Sequence, residues 1–157
     1  MKKNKKITLA TDFEQQYRAR VAELFTTQLQ AFPGVATMLA ELPFTFCIAS
    51  NGPIPKIRHA LSVTGLSHFF ADRLYSSFSV GAWKPDPALF LHAAQEMGFL
   101  PQHCVVIEDS LVGIQAAQAA NMQSLRFLPN QPLNQQDKCF NHMSQLPALL
   151  NQLSASL

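Results

Sequence analysis

Three short groups of polar residues stand at the ends of apolar or stiff segments. Ser50-Asn51-Gly52 follows Phe44-Thr45-Phe46-Cys47-Ile48-Ala49, Lys84 lies within Trp83-Lys84-Pro85-Asp86-Pro87, and Glu108-Asp109-Ser110 closes His103-Cys104-Val105-Val106-Ile107. A hydroxyl, an amide and a glycine turn whose N–H groups lead into a helix suit an anion, because those donors point outward and the helix dipole favours negative charge. A phosphate meets that description. Lys84 adds a positive charge on a loop stiffened by two prolines, so less entropy is lost when it engages a ligand. Glu108 and Asp109 are adjacent carboxylates that repel one another, and a hard divalent ion removes that conflict. Carboxylate, phosphate and water oxygens are the ligands Mg²⁺ prefers. The set as a whole suits metal-assisted phosphoryl chemistry. Taken singly, each member has a plainer reading: Ser50 as a turn former or helix cap, Lys84 as a solvated surface charge, Glu108-Asp109-Ser110 as a capping group at the positive end of a helix. Their joint occurrence in this order is what selects the chemistry.

For the three groups to meet, the segments before them must be neighbouring strands, since ligands of open α/β sheets bind beyond the carboxyl ends of the strands. The apolar spacing supports this. Phe13, Tyr17, Val21, Leu24, Phe25 and Leu29 recur at helical intervals, so Asp12 to about Ala31 reads as one amphipathic helix. A short helix through Val35, Met38, Leu39 and Leu42 precedes a continuous apolar strand from Phe44 to Ser50, the pattern of a strand covered on both faces. A helix over Pro55–Thr64, a strand over Arg73–Ser76, a rigid loop at Trp83–Pro87 and a helix over Ala88–Met97 follow. Next come a strand over His103–Glu108, a helix capped by Ser110 and running to about Ala120, and a strand over Ser124–Leu128. A loop over Pro129–Lys138 and a last helix from Ser144 to about Leu153 complete the chain. Four strands alternating with helices imply an α/β fold, a Rossmann-like parallel sheet with helices on both faces.

The 157 residues suit one domain with a real core. At 48% hydrophobic and 14% charged, with no apolar run near ~18 residues, the chain fits neither the disordered nor the membrane-spanning class. Lys2, Lys3, Lys5 and Lys6 supply four of the 12 Lys+Arg, and the other eight face 10 Asp+Glu. A solvated basic tail on a slightly acidic body gives no expectation of a nucleic-acid or membrane partner. With no secretory-type apolar stretch after the lysines, a cytoplasmic location is expected. Cys47, Cys104 and Cys139 show no CxxC spacing; Cys47 and Cys104 read as small buried hydrophobes. The five His lack metal-ligand spacing. Trp83 and the Phe residues read as packing groups.

Ala49-Ser50-Asn51-Gly52, Trp83-Lys84-Pro85-Asp86-Pro87 and Val106-Ile107-Glu108-Asp109-Ser110-Leu111-Val112-Gly113-Ile114-Gln115-Ala116-Ala117 resemble motifs two, three and four of the haloacid dehalogenase superfamily. The match looks like the β-phosphoglucomutase-like phosphatase branch and, including Ser144-Gln145-Leu146-Pro147, the bacterial 6-phosphogluconate phosphatase type. The resemblance implies that Ser50 and Asn51, with Gly52, hold a transferring phosphoryl group. It also implies that Lys84 neutralises the group's charge and orients the nucleophile, and that Asp109 with Glu108 binds Mg²⁺. Where members of the family commonly carry Gly before the Met that closes motif four, this chain has Asn121, which tolerates left-handed backbone better than most residues.

The family's first motif, a strand ending in DxDGT that supplies the aspartate nucleophile, has no counterpart here. The aspartates are Asp12, Asp72, Asp86, Asp109 and Asp137, and none sits in a DxD. The resemblance thus implies an N-terminally truncated family member. Residues 1–32 would be a remnant of the helical cap, and residues 33–157 an incomplete core lacking its first strand. Such a chain can position a phosphate and a metal but cannot form a phosphoaspartyl intermediate, so it is expected to be inactive or nearly so alone. The strands beside the gap would have unpaired ladder edges, which favours self-association. The family reaction would be hydrolysis of a small phosphorylated metabolite, a sugar phosphate. A non-catalytic phosphate- or partner-binding module is the alternative. A receiver-like domain fits less well, because receivers place the acidic pair before the lysine and here it follows.

Overall fold

The computed structural model describes residues 10–132 and 138–154. The lysine tail, part of the expected cap remnant over residues 1–32 and part of the expected Pro129–Lys138 loop lie outside the described residues. The first helix, α1 (Phe13–Gln28), and the second, α2 (Val35–Glu41), lead to β1 (Ile48–Ser50). Then follow α3 (Ile54–Val63), α4 (Ser67–Phe70), β2 (Leu74–Ser76), α5 (Ser77–Val80) and α6 (Ala88–Glu96). A 3₁₀ turn at Pro101–His103 precedes β3 (Val105–Glu108), followed by α7 (Leu111–Ala119), β4 (Gln123–Phe127), β5 (Cys139–Phe140), a 3₁₀ turn at Met143–Gln145 and α8 (Leu146–Ser154).

The helix–strand alternation is the expected one, with three additions: α4, α5 and β5 are too short to leave a periodic signal. The expected strand over Phe44–Ser50 is shorter than the apolar run. Only Ile48–Ser50 finds ladder partners, Leu74–Ser76 on β2, and Phe44 is exposed. Phe46 packs its ring edge-on to Phe70 at 5.3 Å instead, and Arg73 Nε donates to Phe46 O at 3.0 Å. Asn121 has φ 55°, the left-handed backbone expected of it.

All strand pairs are parallel, but they form two sheets: β1 with β2, and β3-β4-β5 in that order. No ladder joins β1 to β3 among the described residues. The two sheets nonetheless share one layered architecture, and strand alternation shows it. Leu74, Leu125, Phe127 and Phe140 pack with residues of α2, α3, α4 and α8, and Ile48, Val105 and Ile107 join that face. Val106 and Ala49 turn the other way, to Phe90 and Ala94 of α6 and to Ala116 and Ala117 of α7. Helices cover both faces, as continuous strand apolarity requires. Alanines at α7 let that helix sit close to the strands; Ala116 and Ala117 are fully buried.

The helix α1 differs from the others. It has no buried residue; Phe13 and Tyr17 are exposed, and its expected apolar face is at best half-buried. It is held to α3 by Phe25 stacked on His59 at 6.3 Å and by His59 Nε2, 3.1 Å from Ala22 O and 3.2 Å from Thr26 Oγ1.

Candidate active site

The carboxyl end of β1 runs into a tight turn. Gly52 N–H donates to Ser50 Oγ at 3.0 Å, so the Ser50 hydroxyl makes a local side-chain turn of the kind serine favours. Pro53 then enters α3, where Pro55 carries no N–H and the Lys56 N–H donates to Pro53 O at 3.0 Å, which leaves the Ile54 N–H as the donor of this helix start. The turn is fastened to the end of β2. Ser76 Oγ donates to Gly52 O at 2.7 Å, and Ser77 Oγ donates to Asn51 Oδ1 at 2.8 Å. Both serines are essentially fully buried.

Asn51 Oδ1 also accepts the Lys84 N–H at 3.0 Å, which anchors the proline-stiffened loop at its working residue. The Lys84 side chain turns inward. Its Nζ donates to Ala49 O at 2.9 Å, forms an ion pair with Glu108 Oε1, and lies 4.7 Å from the centroid of the Phe90 ring. The Lys84 and Glu108 side chains are each only 9% exposed. Glu108 Oε2 accepts from Ser110 Oγ at 2.8 Å, and Ser110 Oγ in turn accepts the Gly113 N–H at 3.1 Å, capping α7. Gly113 is required by this packing. A Cβ there would overlap the Glu108 carboxylate.

The sequence-selected residues are therefore brought together in part. Ser50, Asn51, Gly52, Lys84 and Glu108 form one connected cluster at the carboxyl ends of β1 and β3. Asp109 is exposed, and its backbone oxygen accepts from Arg126 Nε at 3.3 Å. The acidic pair is thus split: Glu108 points in, Asp109 out. Lys84 offsets the charge of Glu108 within the cluster. Among the described residues no group of three His, Cys, Asp or Glu could hold a metal ion. With both Glu108 oxygens engaged, Glu108 and Asp109 do not by themselves fit a divalent ion.

Three contributors were not selected from sequence: Ser76, Ser77 and Phe90. The serine pair carried a signal, since it ends a strand as Ser50 does; Phe90 reads as an ordinary helix core residue. Trp83, taken as a packing group, is 47% exposed and meets the edge of Phe78 at 5.6 Å. Cys47 and Cys104 are half-buried free thiols, not fully buried ones. Burial pushes the Cys47 thiol up to about 11, with nearby Cys104 adding to the rise and Arg73 opposing it; burial also raises Cys104. No helix among the described residues is long and apolar enough to cross a membrane.

Comparison with known proteins agrees with this geometry. The family of haloacid dehalogenase-like hydrolases matches residues 2–121. A 6-phosphogluconate phosphatase of Escherichia coli K12 is 38% identical over 148 residues, covering 91% of this chain and 67% of that protein. The chain thus spans about two thirds of that relative's length. Among solved structures, a conserved haloacid dehalogenase-like protein from Agrobacterium tumefaciens superposes with a TM-score of 0.81 at 28% identity, covering 94% of this chain and 72% of that one. A HAD-family hydrolase from Deinococcus radiodurans, solved with bound phosphate and sodium, superposes with a TM-score of 0.78 at 28% identity, covering 94% and 70%. The strand-end cluster, the layered parallel fold and these matches lead to one conclusion: the chain belongs to the haloacid dehalogenase-like hydrolases.

Proposed function

We propose that the cluster around Lys84 is a phosphoryl-binding site for a small phosphorylated metabolite of the sugar-phosphate class, and that this chain alone hydrolyses it slowly or not at all. The observation that carries the reading is the double attachment of Lys84. Its N–H holds Asn51 and its Nζ reaches both Ala49 O and Glu108, so three distant segments share one cation. The name of the E. coli relative points to the same substrate class, 6-phosphogluconate being a phosphorylated sugar acid. The Deinococcus neighbour was solved with bound phosphate, which agrees with a phosphoryl ligand for a protein of this fold.

In this reading the phosphoryl oxygens take the Ile54 N–H at the start of α3 and the Ser50 and Asn51 side chains, while Lys84 balances charge. Preorganised donors of this kind stabilise charge without reorganising. Among the described residues no aspartate stands as an evident nucleophile for the group so held. Asp12 bonds Gln16, Asp72 pairs with Arg58, Asp86 caps Ala88 N–H, and Glu108 is engaged by Lys84. Among the described aspartates Asp109 is the one whose carboxylate faces solvent beside the cluster, and a Mg²⁺ held there would complete its shell with phosphate and water oxygens.

The test is an assay of the 157-residue chain with 6-phosphogluconate and p-nitrophenyl phosphate in Mg²⁺, beside calorimetric titration with phosphate. Phosphate binding lost in Lys84→Met, with turnover near background, supports the proposal. Robust turnover abolished by Asp109→Ala overturns the inactivity, and absence of phosphate binding overturns the site. Binding without any turnover, even when the site is supplied with metal, would favour the non-catalytic module.

A further inference from the structure

Phe78 and Trp83 belong to neither buried core, and their rings remain 53% and 47% exposed. Large rings gain most from burial, so a pair left half in water calls for a reason. Their backbones are nonetheless firmly held. The Phe78 N–H donates to Ser76 Oγ at 3.2 Å, and the same hydroxyl donates to Gly52 O at 2.7 Å. Trp83 O accepts the Asp86 N–H at 2.9 Å. The residue before Phe78 and the residue after Trp83 meet on one atom, since Ser77 Oγ and the Lys84 N–H both donate to Asn51 Oδ1. The two rings then meet edge-on, 5.6 Å apart and inclined at 77°. Asn51 thus fixes an aromatic pair beside the phosphoryl cluster, one residue away along each segment.

We propose that Phe78 and Trp83 form the wall that receives the carbon chain of a sugar phosphate whose phosphoryl group sits at Lys84, and that this wall selects among phosphorylated metabolites. The inference rests on the phosphoryl reading of the Lys84 cluster. An edge-on contact covers at most one of the four ring faces, and a ring face is the negative side of the aromatic quadrupole, which attracts the weakly positive C–H bonds of a polyol. The sugar hydroxyls stay in water at this open rim. Rings with two rotatable bonds, on backbones already tied down, lose little freedom when a ligand arrives. Faces inclined at 77° make a corner, which a bent polyol chain fills and a flat nucleobase does not. Inorganic phosphate has no carbon to place there, so the wall separates phosphate from its sugar esters.

Trp83 is the only tryptophan of the chain, which makes the test direct. On the 157-residue chain, calorimetry gives the affinities for phosphate and for 6-phosphogluconate, while tryptophan emission reports on the wall. The expected result is that 6-phosphogluconate changes the emission and phosphate does not. Trp83→Ala should weaken 6-phosphogluconate about tenfold more than it weakens phosphate. Trp83→Phe, which keeps a ring, should recover most of that difference. Emission that responds alike to both ligands, or equal losses for both in Trp83→Ala, overturns the inference and leaves the phosphoryl site standing. Adenosine monophosphate bound more tightly than 6-phosphogluconate overturns the ligand class. A wild-type chain that binds neither phosphate nor 6-phosphogluconate overturns the phosphoryl reading itself.

Discussion

Lys84 and Glu108 pair across the two sheets with little access to water, and each owes its position to a different neighbour. Asn51 fixes the lysine backbone, while Ser110 fixes the glutamate. A paired charge of this kind adds little net stability, because desolvation offsets the attraction, but removing one partner strands the other.

Lys84→Met should therefore destabilise the fold by about 3–5 kcal/mol, read as a lower urea midpoint. Adding Glu108→Gln to that variant should restore much of the loss. A double variant as unstable as the single one would mean that the pair is solvated in solution.

Gly113→Ala sets two effects against each other. Alanine favours a helix interior by about 1 kcal/mol over glycine, yet its Cβ would overlap the Glu108 carboxylate. We expect the overlap to prevail, with net destabilisation, since Glu108 cannot move without leaving Lys84. In a Glu108→Ala background, itself destabilised because Lys84 is stranded, adding Gly113→Ala should be stabilising by the helix gain. Thermal melting of the three variants checks the order.

Ser77→Ala removes the hydroxyl that holds Asn51 Oδ1 at a fully buried position. A cost of about 1–3 kcal/mol is expected, with phosphate affinity falling further than stability explains, because Asn51 also orients Lys84. Calorimetry at matched folded fraction separates the two effects.

Alkaline pH should act on the fold through Cys47. Its thiol titrates near 11 when folded, against 9.0 ordinarily, so the native state keeps a proton that the unfolded chain releases. Stability from this group is complete below pH 9 and is lost as pH rises toward 11, on the order of 2 kcal/mol. Cys104 and Tyr75 are raised too and act in the same direction. Denaturation midpoints of the wild type and Cys47→Ala between pH 8 and 11 should converge as pH rises; parallel curves would refute the assignment.

Much of the site could be read from the chain because its members stand where apolar runs stop. Ser50, Lys84 and Glu108 each mark a strand end or a stiff loop, and parallel strands bring such ends to one rim. Asn121 was legible for a local reason, its tolerance of left-handed backbone. What could not be read was the direction of side chains one residue apart. Nothing in Glu108-Asp109 says that the first turns in to a lysine and the second out to water; that follows from the pleat of β3 and from Gly113, which clears the space. The separation into two sheets was equally invisible to periodicity, since an apolar run does not say which neighbour its edge will find. Phe44–Cys47 shows the same limit: apolar enough for a strand, it lies beyond the three residues that β2 can pair.

The loose seating of α1 has its own consequence. A helix whose apolar residues are at most half-buried exposes little new apolar surface when it lifts away, so its departure carries only a small part of the heat-capacity change and denaturant sensitivity of unfolding. Global unfolding curves would pass over that event. Phe25 also forms one wall of a cavity beside Ile48, Ile57 and Leu61, and that wall should accordingly come and go with temperature while the rest of the molecule holds its shape.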